Sequence, residues 1–159
     1  MNLKIRPFHK GDSGEIVELT LLAFEPVFSS FEHILGPGIY PILYPDWRKM
    51  QAEGVEKLGS NEKINFWVAQ VDEKVVGFIA FECFDDKTAE VQLLAVHPGY
   101  QNRGIGTRLN TFALQKMKEN GAILAVVGTG GDGSHAPARA SYEKAGYTAL
   151  PLVRFYKDL

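Results

Sequence analysis

The 159-residue sequence has a single cysteine, Cys83, and no run of some 20 apolar residues. One thiol cannot form an internal disulfide bond, and it excludes a zinc site built from several cysteines. Without a long apolar run no membrane-spanning helix is expected, and the polar start Met1–Arg6 lacks the apolar centre of a secretory signal. These absences predict a cytoplasmic protein with no membrane partner.

Dense basic segments are also missing. No run of Lys and Arg is interleaved with aromatic residues, so nucleic acid is not an expected partner. The charge is nevertheless uneven, because residues 97–159 carry eight Lys and Arg against four Asp and Glu, whereas residues 1–96 carry nine against 15. The positive excess in residues 97–159 suits an anionic cofactor, and the negative excess in residues 1–96 suits a cationic substrate. The alternative is that the division reflects only charged faces exposed to solvent.

The hydrophobic pattern predicts one mixed domain over residues 1–159, which is long enough to bury a continuous core. A first strand at 3–8 precedes a helix that Asp12 is expected to cap, with Glu15 completing a capping box. Three strand-like runs at 65–71, 75–84 and 88–96 are joined by short charged links, which is typical of an antiparallel meander. Strands and helices then alternate, as in a parallel βαβ unit; the expected elements are helices at 106–120 and 137–145, a strand at 122–127 and an extended end at 147–156.

The segment Glu25–Asp46 is rich in aromatic residues and contains four prolines, so it is expected to be irregular rather than one helix. Asp46 is expected to cap the helix that follows it. Irregular aromatic segments line pockets, or they pack over the edge of a sheet. The candidates for an acceptor-binding wall here are Phe28 and Phe31, with Phe24, Glu32 and Tyr40 as further candidates.

Two glycine-rich loops are candidate phosphate sites. Gly128–Gly133 matches the dinucleotide pattern G-x-G-x-x-G. The acidic residue that should follow about 20 positions later is missing, and this loop comes near the end of the chain instead of opening the sheet. A nicotinamide oxidoreductase is therefore the disfavoured alternative, and the loop is interpreted as a flexible connection.

The second loop, Gln101–Thr107, runs from a strand directly into an amphipathic helix. Backbone N–H groups in such a loop and in the first helical turn converge at the positive end of the helix dipole, which is a geometry that binds a pyrophosphate. Gly104 and Gly106 remove side chains that would keep phosphate oxygens away. The spacing and lysine of a Walker loop are absent.

Two motifs occur in the second half of the chain. The first is Gln101-x-x-Gly104-x-Gly106, after the phrase Leu94-Ala95-Val96-His97-Pro98, and the second is Ala138-x-x-x-Tyr142-Glu143-Lys144-x-Gly146-Tyr147. They resemble the signature Q/R-x-x-G-x-G/A and the ending A-x-x-x-Y-E-K-x-G-F of the GNAT family of acyl-CoA-dependent N-acetyltransferases. The order of the elements also fits, so the resemblance covers essentially the whole chain.

The resemblance implies an α+β fold of the acyl-CoA N-acyltransferase type. Its central sheet would have six to seven mostly antiparallel strands with one splayed parallel pair, and helices would cover both faces. It implies direct transfer of an acetyl group from acetyl-CoA to a primary amine without a metal. Many relatives are dimers, which makes a homodimer one candidate assembly. A non-catalytic acyl-CoA-binding module is the alternative. The implied cofactor-binding residues are Leu94, Ala95, Val96, Gln101, Asn102, Arg103, Gly104, Ile105, Gly106, Thr107 and His135.

The resemblance also implies the catalytic residues. Tyr142 occupies the position of the family's general acid, although an amphipathic core tyrosine would give the same pattern. Glu90 lies where some relatives carry the glutamate that accepts the amine proton, and a solvated strand carboxylate is the alternative. Strand alternation is expected to put Glu90, Gln92 and Leu94 on one face. His135 replaces an asparagine that contacts the cofactor in many relatives, so it is expected to contact CoA or to start a helix.

Overall fold

In the computed structural model, which describes all 159 residues, five strands form one mixed sheet in the order β1-β2-β3-β4-β5. Strands β1 to β4 pair antiparallel, and β4 and β5 pair parallel. The expected α+β class with one parallel pair is therefore confirmed. The strands are β1 Leu3–Pro7, β2 Ile64–Val71, β3 Lys74–Cys83, β4 Thr88–Val96 and β5 Leu124–Val127; the helices are α1 Ser13–Leu43, α2 Trp47–Ser60, α3 Ile105–Glu119 and α4 Ala136–Lys144.

The sheet has five strands instead of six to seven, because residues 147–159 form no strand. Pro151 has no N–H to donate to a sheet ladder. The end of the chain lies beside α1 instead of beside β5, and the Asp158 carboxylate is placed against the backbone of Gly38. The expected extended region at 147–156 is therefore not part of the sheet.

Two apolar clusters cover the two faces of the sheet. One joins the sheet to α3 through side chains that are almost completely buried, among them Ile79, Phe81 and Leu109. The other joins the sheet to α1 and α2 through Ile16, Val55 and Phe78. Helices thus lie on both faces, as expected, and none of them has both the length and the apolar composition needed to cross a membrane.

The expectation that Glu25–Asp46 is irregular is wrong, but the expectation that it is not one helix is confirmed, because α1 consists of two helical stretches that meet at a kink. The kink is at Gly36, whose φ of 73° is the left-handed conformation that glycine tolerates, and Pro37 follows where a new helical stretch begins. Pro26 removes one N–H from the helix, but the neighbouring Val27 and Phe28 are buried. Packing of this face offsets the loss of one hydrogen bond.

The two expected helix caps have different outcomes. Asp46 accepts a hydrogen bond from the Lys49 amide at 3.2 Å and caps α2 as expected. The side chain of Asp12 does not cap α1. It forms two hydrogen bonds with the Arg6 guanidinium at 2.8 and 2.9 Å, and Glu15 accepts from the Val75 amide at 3.1 Å. Partners outside α1 thus take both carboxylates of the expected capping box.

Candidate active site

Strands β4 and β5 separate halfway along β4. Their pairing ends at Val91 opposite Val127, whereas β4 continues to Val96. The His97 amide donates to Val76 on β3 at 2.8 Å, so the alternation of an antiparallel ladder directs the amides of Leu94 and Val96 away from β3. The backbone of these two residues therefore faces the gap that β5 leaves open.

A β-bulge at Gln92 lies next to this gap. Leu93 is opposite Ala80 and Val91 is opposite Phe81, so Gln92 has no partner on β3. Because a bulge adds one residue to one strand, it shifts the alternation of side chains by one position. Leu94 accordingly packs into the same cluster as Val91, on the α3 face of the sheet. The expectation that Glu90, Gln92 and Leu94 share one face is therefore wrong.

The loop before α3 leaves its backbone amides free. None of the N–H groups from Asn102 to Thr107 donates to a protein acceptor, and the first backbone bond of the helix runs from Arg108 to Gly104 at 3.0 Å. Asn102 and Gly104 have positive φ angles of 60° and 77°, which fold the loop back onto the helix. Gln101 donates its side-chain amide to the carbonyl of Val96 at 3.0 Å and so joins the loop to the end of β4. Six consecutive free amides at a helix N-terminus form an anion-binding arrangement.

Helices α3 and α4 meet beside this loop. A Cβ atom at Gly106 would lie 3.9 Å from Val96 and 3.8 Å from Ser141, which are ordinary van der Waals contacts, so β4 and both helices meet around this residue. Asn110 is 1% exposed and donates to the Ser141 hydroxyl at 3.1 Å, while its own side-chain oxygen has no partner. A buried polar link therefore holds α4 at the position of Tyr142.

Tyr142 is largely enclosed. Its ring packs edge-on against Tyr147, with the ring centroids 5.7 Å apart. Burial, and to a lesser extent the Tyr147 hydroxyl, raises the pKa of Tyr142 to about 12. The phenol is therefore fully protonated at neutral pH and can act as a proton or hydrogen-bond donor.

Glu90 lies directly opposite Glu82 across β3 and β4, and both side chains are half-buried. On β3, Glu82 shares a face with Ala80, which packs into the α1 and α2 cluster. Like charges at opposite positions of a sheet destabilise it. The pair forms a negative patch on the α1 face that suits a cationic ligand.

The aromatic residues of α1 form one connected stack. Phe28 is buried and lies parallel to Trp47 at 4.5 Å, and it meets Phe31 edge-on at 5.7 Å. Phe31 lies between the rings of Tyr44 at 5.6 Å and His135 at 5.7 Å. The structure thus brings two expected acceptor residues, Phe28 and Phe31, next to an expected cofactor residue, His135. Phe24 packs against the α1 and α2 cluster, Glu32 is exposed, and Tyr40 stacks on Tyr44.

The loop Gly128–Gly133 connects β5 to the start of α4, as expected, and side chains form hydrogen bonds within it. Asp132 accepts hydrogen bonds from the Ser30 hydroxyl at 2.7 Å and from both the amide and the hydroxyl of Ser134. Its other oxygen lies 2.5 Å from Nδ1 of His135. Arg139 donates to two backbone carbonyls of the loop at 2.6 and 2.8 Å. Asp132 and Ser30 were not predicted as site residues. The one local signal for Asp132 was its position three residues before His135.

Comparisons with known proteins agree with this architecture. Residues 62–149 match the family model described as an acetyltransferase (GNAT) domain. A mycothiol acetyltransferase of Beutenbergia cavernae is 38% identical over 72 residues, which are 45% of this chain and 24% of that protein. The PaiA N-acetyltransferase of Thermoplasma acidophilum, solved with coenzyme A, is 21% identical with a TM-score of 0.66 over 91% of this chain and 88% of that one. A GNAT acetyltransferase of Brucella melitensis, solved with acetyl-CoA, is 24% identical with a TM-score of 0.65 over 93% and 84%.

Proposed function

Because the chain belongs to the GNAT acetyltransferase family, we propose that it transfers the acetyl group of acetyl-CoA to a primary amine. The chain spans between a quarter and a half of the length of the curated relatives it matches, so their own substrates are not carried over to it. The observation that carries the proposal is the set of six free amides from Asn102 to Thr107. Occupation of these N–H groups by the protein's own carbonyls would have excluded a pyrophosphate site.

The cofactor path follows from the geometry of the gap. With the pyrophosphate on the loop Asn102–Thr107, the pantetheine arm extends along the amides of Leu94 and Val96, which face the gap, like an added strand. The Leu94 amide then meets the thioester carbonyl and stabilises the oxyanion of a tetrahedral intermediate. A donor in this role typically lowers the barrier by about 2.7–4 kcal/mol. The hydrogen bond from the Gln101 side chain to the Val96 carbonyl fixes the end of β4 relative to the loop.

Tyr142 is proposed as the donor to the departing sulfur. A free thiol has an ordinary pKa of about 8.5, well below the value of about 12 for Tyr142. Burial that raises the pKa of a phenol also raises the pKa of a thiol in the same pocket. The difference between the pKa values of Tyr142 and the CoA thiol is therefore smaller when CoA is bound. We therefore propose that the phenol donates a hydrogen bond as the C–S bond breaks and transfers its proton late.

The proposed acceptor is a cationic primary amine. Glu90 and Glu82 attract an ammonium group to the α1 face, and Phe28 and Phe31 supply an apolar wall for the remainder of the molecule. That Glu90 takes the amine proton, as the resemblance implies, remains a prediction and is no part of this proposal. A homodimer and a cytoplasmic location likewise remain predictions.

Binding and turnover test the function separately. Acetyl-CoA at about 100 times its dissociation constant adds about 2.7 kcal/mol to the free energy of unfolding, which is a rise in Tm of roughly 5–11 °C for a domain of this size. We expect this rise with acetyl-CoA and CoA and none with NAD. Release of CoA thiol in the presence of amines identifies a transferase, whereas a thermal shift without thiol release would indicate a binding module. The absence of any shift with acetyl-CoA would overturn the proposal.

Tyr142→Phe tests the donor assignment. The substitution removes only the hydroxyl, so the ring and its packing on Tyr147 remain. We expect turnover to fall about 100-fold or more, within the range of general acid catalysis, with the same thermal shift from acetyl-CoA. Steady-state kinetics and thermal unfolding measure the two effects. Tyr147→Phe is the matched control and should retain its turnover; full activity of Tyr142→Phe would remove Tyr142 from the mechanism.

A further inference from the structure

We infer that His135, held by Asp132, is the proton acceptor for the incoming amine, and this inference rests on the proposed acetyl transfer. The family resemblance places His135 only in contact with the cofactor. The arrangement around the imidazole points to a different role, because one ring nitrogen is fixed by a carboxylate and the other has no protein partner.

The first step concerns the tautomer of His135. An ionised carboxylate can only accept hydrogen bonds, so the hydrogen of the neutral imidazole is placed on Nδ1, which lies 2.5 Å from the Asp132 oxygen. The lone pair is then on Nε2, which is the atom that can take a proton. The same pairing of a carboxylate with a histidine orients the base in hydrolases of the serine type.

The second step concerns the carboxylate itself. Burial acts to raise the pKa of Asp132, but hydrogen bonds from Ser134, Ser30 and His135 outweigh it and hold this pKa well below its usual range. Asp132 therefore stays ionised at neutral pH. Ser30 comes from α1, 102 residues earlier in the chain, so the pair also connects the acceptor wall to the start of α4.

The third step is the position of the imidazole ring. His135 ends the short 3-10 turn Gly133–His135 and is the N-cap residue of α4, seven residues before Tyr142. Phe31 stacks on the imidazole ring, with the ring centroids 5.7 Å apart. The imidazole thus lies between the acceptor wall of α1 and the helix that carries the sulfur donor.

The charged groups around the imidazole are few. Asp132 binds it directly, and Arg139 on α4 binds the carbonyls of Gly130 and Asp132 rather than the ring. The residues that α1 directs to the pair, Ser30 and Phe31, are uncharged. Imidazole is the side chain that takes up and releases protons most readily near neutral pH.

In the proposed step an acceptor that arrives as an ammonium ion gives its extra proton to Nε2 of His135, which passes it to water. The neutral amine nitrogen then attacks the thioester carbonyl carbon, and the C=O electron pair moves onto oxygen. The tetrahedral intermediate collapses, the C=O bond forms again, the C–S bond breaks, and its electron pair leaves on sulfur. Sulfur receives the proton of Tyr142, and the N–H proton that the amide nitrogen loses returns to the tyrosine through solvent.

Kinetics against pH test this assignment. The probe acceptors are 1,5-diaminopentane, glycinamide and kanamycin, which are primary amines of different shape and charge. We expect His135→Asn to lower kcat about 100-fold near neutral pH, within the range of general base catalysis. The loss should shrink as the pH rises toward 10, because a much larger fraction of the amine is then neutral without assistance. The matched control is His33→Asn, an exposed histidine on α1, which should behave like the wild type.

Asp132→Asn tests the positioning role of the carboxylate. Nitrogen NMR of the imidazole should place the hydrogen on Nδ1 in the wild type and on both nitrogens in turn in Asp132→Asn, without any substrate present. We expect kcat to fall 10- to 100-fold with the KM for acetyl-CoA unchanged. If Asp132→Asn has the same tautomer and the same kcat as the wild type, Asp132 does not position the imidazole.

The outcomes separate this inference from the proposed function. If wild type shows neither an acetyl-CoA shift nor thiol release, the function itself fails and the inference falls with it. If His135→Asn transfers acetyl normally, or loses the acetyl-CoA shift, or loses activity equally at every pH, His135 is not the proton acceptor while the function stands. Glu90→Gln tests the competing assignment. If kcat falls near neutral pH in Glu90→Gln but not in His135→Asn, Glu90 takes the amine proton.

Discussion

Two glycine-rich loops of this chain join a parallel strand to the following helix, and they differ in the charge that they carry themselves. Between β4 and α3, the amides from Asn102 to Thr107 have no protein acceptor, and the loop contains no carboxylate. Between β5 and α4, the amides from Gly128 to Gly133 also have no protein acceptor, but the Asp132 carboxylate lies in the loop and accepts from the Ser134 amide. Glycine content and free amides therefore do not by themselves identify a phosphate site, because a carboxylate within the loop repels an external anion.

The glycines of the two loops also serve different purposes. Gly104 is required for its backbone angle, since its φ is 77° and a side chain there would meet nothing within 4 Å. Gly130 is required for space, because a side chain there would collide with Nδ1 of His135 and lie 2.7 Å from the Asp132 carboxylate. One loop is shaped for a ligand and the other around a pair of its own side chains.

The largest effect is expected from Gly130→Ala. The added methyl group must displace His135 or Asp132, which Phe31 and Ser30 hold in place, and such overpacking costs about 1–3 kcal/mol. For a domain of this size that is a fall in Tm of roughly 2–12 °C, measured by thermal unfolding. Gly131→Ala is the control, because a side chain there would meet nothing within 4 Å. Equal melting temperatures of the two variants would contradict a steric role for Gly130.

A smaller effect is expected from Gly104→Ala. A left-handed backbone costs an ordinary residue about 1–2 kcal/mol, which is a fall in Tm of roughly 2–8 °C. Asparagine tolerates this conformation better than alanine, so Gly104→Asn should lose less stability. A Tm that is lowest for Gly104→Ala, intermediate for Gly104→Asn and highest for the wild type would identify the backbone angle as the cause. The same Tm for Gly104→Ala and wild type would contradict it.

Local patterns predicted most of the fold and the position of the loop with free amides. The residues proposed to bind a pyrophosphate are consecutive, so Gln101, Gly104 and Gly106 indicate the loop by their spacing. The bounds of β4 agree with the expected strand, since alternation and the charged link Asp85-Asp86-Lys87 define its start. Alternation could not predict the bulge at Gln92, which depends on how β3 and β4 fit together.

Long-range contacts account for the features that the sequence did not predict. Asp132 was interpreted as part of a flexible loop because its partner Ser30 is 102 residues away. Pro26 and Pro37 suggested an irregular segment, but burial of Val27 and Phe28 keeps α1 helical and one left-handed glycine absorbs the kink. The missing strands have a similar cause, because the last residues lie against α1 and leave the edge of β5 unpaired.

The smallest effect is a dependence of stability on pH that only one of the loops should show. Burial tends to raise the pKa of Asp132, but its hydrogen bonds lower it, so the folded state holds this carboxylate in its charged form. A lowered pKa contributes stability above the ordinary aspartate value of about 3.9, and that contribution is lost as the pH falls toward the folded value. The difference in Tm between wild type and Asp132→Asn should therefore shrink from pH 5 to pH 3. Strain at Gly104 involves no ionisable group, so the deficit of Gly104→Ala should be equal at both pH values. A constant deficit for Asp132→Asn would mean that its charge does not hold the β5–α4 loop, and the contrast between the two loops would then rest on packing alone.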